Sequence, residues 1–265
     1  MTIPFTKASA CGNDFLIIDG RHAPADVQQL SKEICDRHHG VGADGVEWLF
    51  PAQDCDAEIR LINADGTEAE ISGNGTRCVA AYLVAGGAAE KLAIRTGAGV
   101  KHCELISRAD NRYEFAMDMG QPKVGEPFSL TTSAGEVRGT PVSMGNPHYV
   151  ILVNEFAPDW PARAAEVQRQ PNFKASVNNA GVNVEFVRIA DPNAIEVRFY
   201  ERGVGETQSS GTGSCASAVA AIAAGKVKSP VQVQAVGGTQ IVRWEGTSVF
   251  LRGSAELICR GEFLG

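Results

Sequence analysis

The sequence lacks the features that mark a membrane protein or a nucleic-acid-binding protein. No apolar run approaches the roughly 18 residues that a membrane-spanning helix requires. Basic residues are not in excess, because the net charge is −7 at pH 7 and the isoelectric point is about 5.3. The N-terminal stretch MTIPFTKASACGNDF lacks the basic start and apolar core of a secretory signal. We therefore expect a cytoplasmic protein with neither a nucleic-acid nor a membrane partner.

The cysteines lack the spacing of a metal site or a disulfide framework. The chain has seven cysteines, an odd number, and no C-x-x-C pair occurs. This pattern favours reduced thiols over bridges or zinc. We expect no metal site.

Two copies of one glycine-rich motif are present. The stretch EISGNGTRC runs from Glu70 to Cys78, and TQSSGTGSC runs from Thr207 to Cys215. Each has a serine before Gly-x-Gly, and each leads into an alanine-rich apolar run. Neither is a dinucleotide fingerprint or a G-K-S/T phosphate loop. A glycine turn that opens a helix presents unpaired N–H groups, so it suits a carboxylate or a phosphate. A single such serine would more often be only a helix cap.

The apolar runs that follow these turns indicate buried helices. They are predicted over Thr76–Ala85 and Ser214–Ala224, and a helix that is apolar on all sides belongs inside other elements. Two further helices are predicted over Asp26–His39 and from Asp159 to about Gln170. Strand-like runs surround them, for example AEIRLIN, RYEFAMD and AIEVRFYE.

This order predicts a duplicated plan in which strands, a glycine turn, a buried helix and further strands occur twice. With 265 residues the chain is long enough for two domains. We place the halves at residues 1–119 and 120–254. Beyond these motifs the halves look dissimilar in sequence.

The motifs together resemble the diaminopimelate epimerase family. The matching stretches follow the order of the family and are GNDF, CDRHHGVGADG, NADGTEAEISGNGTRC, SMGNPH, GVNVEFV and YERGVGETQSSGTGSCA. They span residues 12–216, and the two stretches that hold the glycine turns are the most specific.

The resemblance implies an α+β fold with two similar halves, each a curled mixed β-sheet around a central helix, and an active site in the cleft between them. It also implies that a C-terminal strand at about 255–265 returns to the first half. It implies an isomerase that interconverts the LL and meso forms of diaminopimelate, an amino acid used in lysine and peptidoglycan synthesis. Members of the family work without pyridoxal phosphate or any other cofactor and without a metal. The resemblance also implies a homodimer. Two cysteines act from opposite faces: one thiolate takes the α-proton and the other thiol returns a proton.

The sequence departs from the family at both catalytic positions, where Ser72 and Ser210 replace the two cysteines. Cys78 and Cys215 match additional family cysteines that do not do the chemistry. His148 and Glu201 match the residues that assist proton transfer, and we assign His148 to Ser72 and Glu201 to Ser210. The substrate-binding positions implied by the resemblance are Asn13, Asn63, Gly73, Asn74, Asn146, Asn183, Glu201, Arg202, Gly211 and Thr212.

The serines change the expected chemistry, because an alkoxide is essentially absent unless a base takes the hydroxyl proton. We expect slow or absent inversion by this Ser/Ser form. Three interpretations stay open. The chain is a diaminopimelate epimerase in which both cysteines have been replaced, or a related amino-acid isomerase or dehydratase that uses hydroxyl, histidine and glutamate chemistry, or a non-catalytic amino-acid-binding homologue.

Overall fold

The computed structural model describes residues 2–173 and 181–265. The backbone divides into two compact units, which are Met1–Asp118 with Arg252–Gly265, and Met119–Leu251. We call them unit 1 and unit 2. None of the helices in the described part of the chain is both long and apolar enough to cross a membrane.

Unit 1 is a mixed sheet with one central and one outer helix. Its elements are β1 (Thr2–Ala10), β2 (Asn13–Asp19), α1 (Val27–Cys35), β3 (Gly45–Phe50), β4 (Ala57–Asn63), β5 (Glu68–Ala69), α2 (Gly73–Ala85), β6 (Lys91–Thr96), β7 (Gly99–Ala109) and β8 (Arg112–Asp118). A short 3-10 helix (Gly20–His22) follows β2.

Unit 2 has the same kinds of element. They are β9 (Lys123–Val124), β10 (Phe128–Thr132), β11 (Gly135–Ser143), β12 (Pro147–Val153), α3 (Trp160–Gln168), a 3-10 helix (Pro171–Phe173), β13 (Asn183–Asp191), β14 (Ala194–Glu201), β15 (Gly205–Thr207), α4 (Gly211–Ala223), β16 (Val231–Ala235) and β17 (Gly238–Trp244). The last strand, β18 (Val249–Leu264), begins in unit 2, but from Arg252 onward it belongs to unit 1, where it pairs antiparallel with β1.

The two units repeat one pairing scheme. In unit 1, β1–β2 is antiparallel, β2–β3 parallel, β3–β4 and β4–β5 antiparallel, β4–β6 parallel and β6–β7 antiparallel. In unit 2, the pairs β11–β12, β12–β13, β13–β14, β14–β15, β14–β16 and β16–β17 follow the same sequence of directions. The predicted α+β duplication is therefore confirmed.

Each central helix lies among the strands of its own unit. Helix α2 contacts β1, β2, β6 and β8, and α4 contacts β11, β12, β13, β14, β16 and β17. Nearly every residue of α4 is buried, as are the residues from Asn74 to Ala81 in α2. Burial on all sides explains why both helices are apolar all round, as the sequence predicted.

The outer helices cover the opposite faces of the sheets. Helix α1 places Val27 and Ile34 in a core with Val46 and Trp48 of β3. Helix α3 places Ala164 and Val167 in a core with strands of unit 2.

Three predicted helix boundaries were wrong. Helix α1 ends at Cys35 rather than His39, because Asp36 Oδ1 accepts the N–H groups of His38 and His39 at 2.8 and 2.7 Å. Helices α2 and α4 begin at Gly73 and Gly211, three residues before the predicted starts. The glycines are therefore the first turn of each helix rather than a preceding loop.

Candidate active site

Each central helix begins directly after a serine that caps it. Ser72 Oγ accepts the N–H of Gly75 at 3.1 Å, and Ser210 Oγ accepts the N–H of Gly213 at 3.1 Å. Both serines have extended backbone angles, as an N-cap requires. Ser72 is half-buried and Ser210 is buried. The two motifs of the sequence therefore form the same local structure twice.

The first turns of these helices suit an anionic group. The serine oxygens accept the N–H of the third helical residue, and the serine carbonyls accept the N–H of the fourth, Thr76 or Ser214. The N–H groups of the first two residues have no acceptor inside the helix. They are Gly73 and Asn74 in α2, and Gly211 and Thr212 in α4. The helix dipole adds partial positive charge at these same points.

A chain of hydrogen bonds fixes the polar side chains at the start of α2. Asn74 Nδ2 donates to Asn13 Oδ1 at 2.6 Å, and Asn13 Nδ2 donates to Asp44 Oδ2 at 3.1 Å. The fully buried guanidinium of Arg77 donates to Asn74 Oδ1 through Nη2. Asn13 and Asn74, predicted separately, therefore lie together. The Asp44 carboxylate in turn orients the Asn13 side chain.

A second chain fixes the polar side chains at the start of α4. Asn146 Nδ2 donates to Thr212 Oγ1 at 3.2 Å, and Asn146 Oδ1 lies 3.0 Å from His148 Nε2. His148 Nδ1 lies 2.6 Å from Glu185 Oε1. Both ring nitrogens of the buried histidine therefore have partners in unit 2, and Glu185 orients the ring. Sequence reasoning missed Glu185 as a functional candidate.

The remaining predicted residues lie at the ends of β4 and β14. Asn63 is the last residue of β4, and its Nδ2 donates to Thr67 Oγ1 at 3.1 Å. Glu201 is the last residue of β14, and Arg202 follows it. The backbone N–H of Arg202 donates to Asn183 Oδ1 at 2.9 Å, which holds the Asn183 side chain at the start of β13.

Two glutamates that the sequence analysis passed over are fully buried near these helix starts. Glu47 lies in β3, and burial raises its pKa to about 8. Burial also raises the pKa of Glu185, against the lowering effect of His148, and the charge of Glu201 raises it further. No group of three or more histidine, cysteine or acidic side chains among the described residues is arranged to hold a metal ion.

The fold is shared with several solved structures. A PhzF-family phenazine biosynthesis protein from Bacillus anthracis superposes with a TM-score of 0.76 at 16% identity, over 100% of both chains. A hydroxyproline epimerase from Agrobacterium vitis, solved with trans-4-hydroxy-L-proline, gives 0.73 at 16% identity, over 98% of this chain and 90% of its own. The chain is thus an α+β protein with the fold of these solved structures.

The sequence comparisons give the particular family. The diaminopimelate epimerase family model matches residues 5–125 and 140–258. Diaminopimelate epimerases from Pelotomaculum thermopropionicum and Elusimicrobium minutum are each 37% identical, over 98% of this chain and 98% of their own length. The chain belongs to the diaminopimelate epimerase family.

Proposed function

We propose that the protein binds diaminopimelate and slowly interconverts its LL and meso forms, with Ser72 and Ser210 as the two proton-transferring groups. The observation that carries this proposal is the repeated geometry of the two serines. Each one caps a buried helix, and each is oriented by a glycine N–H at 3.1 Å. Family membership supports the substrate class.

The two helix starts bind the carboxylate of the reacting carbon. The N–H groups of Gly73 and Asn74, and those of Gly211 and Thr212, are the donors. Because each serine immediately precedes its pair of donors, a carboxylate held there brings its α-carbon close to the serine hydroxyl. Hydrogen bonds to Asn13 and Asn146 hold the side chains of Asn74 and Thr212 at these turns.

The distal amino-acid group of the substrate is recognised by polar residues at strand ends. Asn63 and Asn183 bind the distal amine and carboxylate, and the Arg202 guanidinium pairs with that carboxylate. The hydrogen bond from Arg202 N to Asn183 Oδ1 supports this assignment, since it ties the two residues together. Asn13 and Asn146 complete the binding set.

His148 and Glu201 assist the two serines, His148 at Ser72 and Glu201 at Ser210. A serine hydroxyl is a weak acid, so each needs such a base. His148 is held on both ring nitrogens by Glu185 and Asn146. It must therefore exchange one of these contacts to accept a proton, which is one reason to expect slow turnover. The proposal also includes a homodimer in the cytoplasm, and light scattering on the purified protein tests the dimer.

Calorimetry tests the substrate assignment directly. LL- and meso-diaminopimelate should bind more tightly than lysine, which lacks the distal carboxylate. A charged hydrogen-bonded contact is worth about 2–3 kcal/mol, so the difference should be about 30–150-fold. Arg202→Gln should reduce this preference, whereas Arg163→Gln, a change on the exposed face of α3, should not. Equal affinity for lysine would contradict the assignment and favour a related isomerase or dehydratase with another amino-acid substrate.

A further inference from the structure

Each unit buries one glutamate against the first turn of its central helix. In unit 1, a Cβ added at Gly75 would lie 1.9 Å from Glu47 Oε1 and 3.3 Å from Ser72 Cβ. In unit 2, a Cβ added at Gly213 would lie 3.0 Å from Glu185 Oε1. These two glycines are the residues whose N–H groups bind the serine oxygens. The carboxyl of Glu47 and the side chain of Ser72 therefore contact the same point of the helix backbone.

The register of the parallel strands shows that Glu47 and Glu185 are equivalent. Strand β2 pairs Phe15 with Gly45 and Ile17 with Glu47. Strand β12 pairs His148 with Asn183 and Val150 with Glu185. The local sequences agree, since Val46-Glu47-Trp48 matches Val184-Glu185-Phe186. This similarity corrects the expectation that the halves have little in common beyond their glycine motifs.

The two carboxyls differ in their partners. Phe15 occupies in unit 1 the register position that His148 occupies in unit 2. Glu185 Oε1 therefore has a histidine nitrogen at 2.6 Å, whereas neither oxygen of Glu47 has a hydrogen-bond partner among the described residues. An unpartnered carboxyl with no solvent exposure is costly as an anion, so Glu47 holds its proton at neutral pH.

The described groups that pack around Glu47 provide no counter-charge. Its register neighbours on β2 and β4 are Ile17 and Leu61, and α1 packs on the opposite face of β3 against Val46 and Trp48. On α2, burial raises the pKa of the Cys78 thiol, so Cys78 is neutral. The guanidinium of Arg77 is turned toward Asn74. Asp14 of β2 is committed to ion pairs with Lys7 and Arg37.

We propose that Glu47 is the proton-holding residue of unit 1 and exchanges protons with the substrate through Ser72. The inference rests on the proposed function and gives Ser72 a proton-holding group in its own unit, in addition to His148. Glu47 is a positioning residue in this scheme, because Ser72 is the group that touches the substrate.

The relay moves only protons. In one direction, the Glu47 carboxyl gives its proton to Ser72 Oγ while the Ser72 hydroxyl proton passes to the α-carbanion, which leaves a glutamate anion. In the other direction, the glutamate anion takes the Ser72 hydroxyl proton while Ser72 Oγ takes the α-proton, which leaves a carbanion on the substrate. The Ser72 side chain must first turn from the Gly75 N–H toward the Glu47 carboxyl. Catalytic hydrogen bonds that are long or misaligned in a free enzyme commonly form fully only when substrate binds.

The pKa of the buried carboxyl suits this task. A proton-transferring group works best when its pKa lies near the operating pH, and burial raises the pKa of Glu47 to about 8. An ordinary exposed glutamate would be a much weaker base toward a hydroxyl.

The test is the rate of deuterium entry at the α-carbon of diaminopimelate in heavy water, measured by NMR from pH 6.5 to 9.5. The isomer that Ser72→Cys labels identifies the face served by position 72. On that isomer, exchange by the unaltered protein should rise with pH through about 8. Glu47→Gln should slow it by about 100-fold, the lower end for loss of a general base, and should flatten the pH profile. Glu47→Asp keeps a carboxyl, so its exchange rate should still change with pH through an inflection. This variant replaces Glu47→Gln in the test if the glutamine variant is unstable.

The Ser72→Cys background supplies a second test, because a thiolate needs no base behind it. Adding Glu47→Gln there should change exchange far less than in the serine protein. Glu104→Gln, a change at an exposed ion pair of β7, should leave exchange unchanged. If diaminopimelate binds and its exchange rate does not depend on Glu47, the inference alone is overturned. If it binds but no exchange occurs at any pH, the proposed interconversion is overturned together with the inference. Failure to bind diaminopimelate would overturn the proposed function as well.

Discussion

Replacing both Ser72 and Ser210 with cysteine should convert a slow protein into a fast epimerase. The perturbation is small, because one oxygen becomes sulfur at each helix start. Each new sulfur inherits the contact that the serine oxygen makes with Gly75 N–H or Gly213 N–H at 3.1 Å. The networks that position Asn74 and Thr212 do not involve the serine side chains, so the binding geometry should survive.

The magnitude follows from acidity. An ordinary cysteine thiol has a pKa of about 8.5, and a helix start lowers it further. A substantial fraction of each introduced thiol is therefore ionised near pH 8, whereas a serine hydroxyl is not. A competent acid or base is worth about 10²–10⁴-fold, and inversion needs one on each face. The double variant should exceed the unaltered protein by about 10⁴-fold, taking the lower value twice.

The single variants separate the two faces. Ser72→Cys or Ser210→Cys alone should accelerate inversion much less, because one face still lacks a good acid or base. Each should nevertheless exchange the α-proton of the isomer that it faces, so one labels LL-diaminopimelate and the other labels the meso form. The assay is deuterium entry at the α-carbon for all four proteins. A double-cysteine variant that binds diaminopimelate, but neither inverts nor exchanges it, would refute the placement of both serines.

Two further predictions concern Glu47 and stability. Gly75→Ala should destabilise the fold by about 1–3 kcal/mol in urea unfolding, despite the higher helix propensity of alanine, because its Cβ would lie 1.9 Å from Glu47 Oε1. Gly87→Ala, whose Cβ would meet nothing within 4 Å but whose φ is +95°, is the comparison in which any loss comes from backbone strain and not from a contact with Glu47. The pKa of glutamate is about 4.3 in an unfolded chain, and burial raises that of Glu47 to about 8 in the folded protein. Between these two pH values the folded state binds one more proton than the unfolded state, so Glu47 lowers the stability of the fold as pH rises from about 4.3 to about 8. Glu47→Gln should therefore raise the free energy of unfolding more at pH 8 than at pH 5.5, and an equal change at both pH values would argue that Glu47 is ionised throughout.

Much of the fold could be predicted from local pattern. Strands β4, β8 and β14 have the predicted bounds, since their alternating side chains mark one buried face. The starts of α2 and α4 could not be read in the same way. Glycine is a poor helix former, so propensity places the start after the glycines, whereas the structure begins each helix at the serine cap.

The candidate site could be predicted only in part from the sequence, and the two glutamates that were missed have a physical feature in common. The resemblance supplied the residues at the helix starts and strand ends, but not Glu47 or Glu185. A charged residue in a strand is normally assigned to the solvent side, and the central helix that covers this face is distant in sequence. A usable signal existed in the repeated Val-Glu-aromatic triplet, which sits at the same distance before Ser72 as before Ser210.

Because the two units repeat one fold, the different surroundings of their buried glutamates are informative. Both units bury a glutamate against the turn that orients the serine, but among the described residues only the glutamate of unit 2 lies near a histidine and a second glutamate, His148 and Glu201. The carboxyl of unit 1 faces apolar strand neighbours and holds its proton near neutral pH. If both serines act on one α-carbon, the unit 1 face therefore rests as the proton donor. In unit 2 the equivalent carboxyl of Glu185 is paired with His148, whereas Glu47 has no such partner among the described residues. The two faces should therefore differ in their pH dependence of exchange, even though their helix starts have the same geometry.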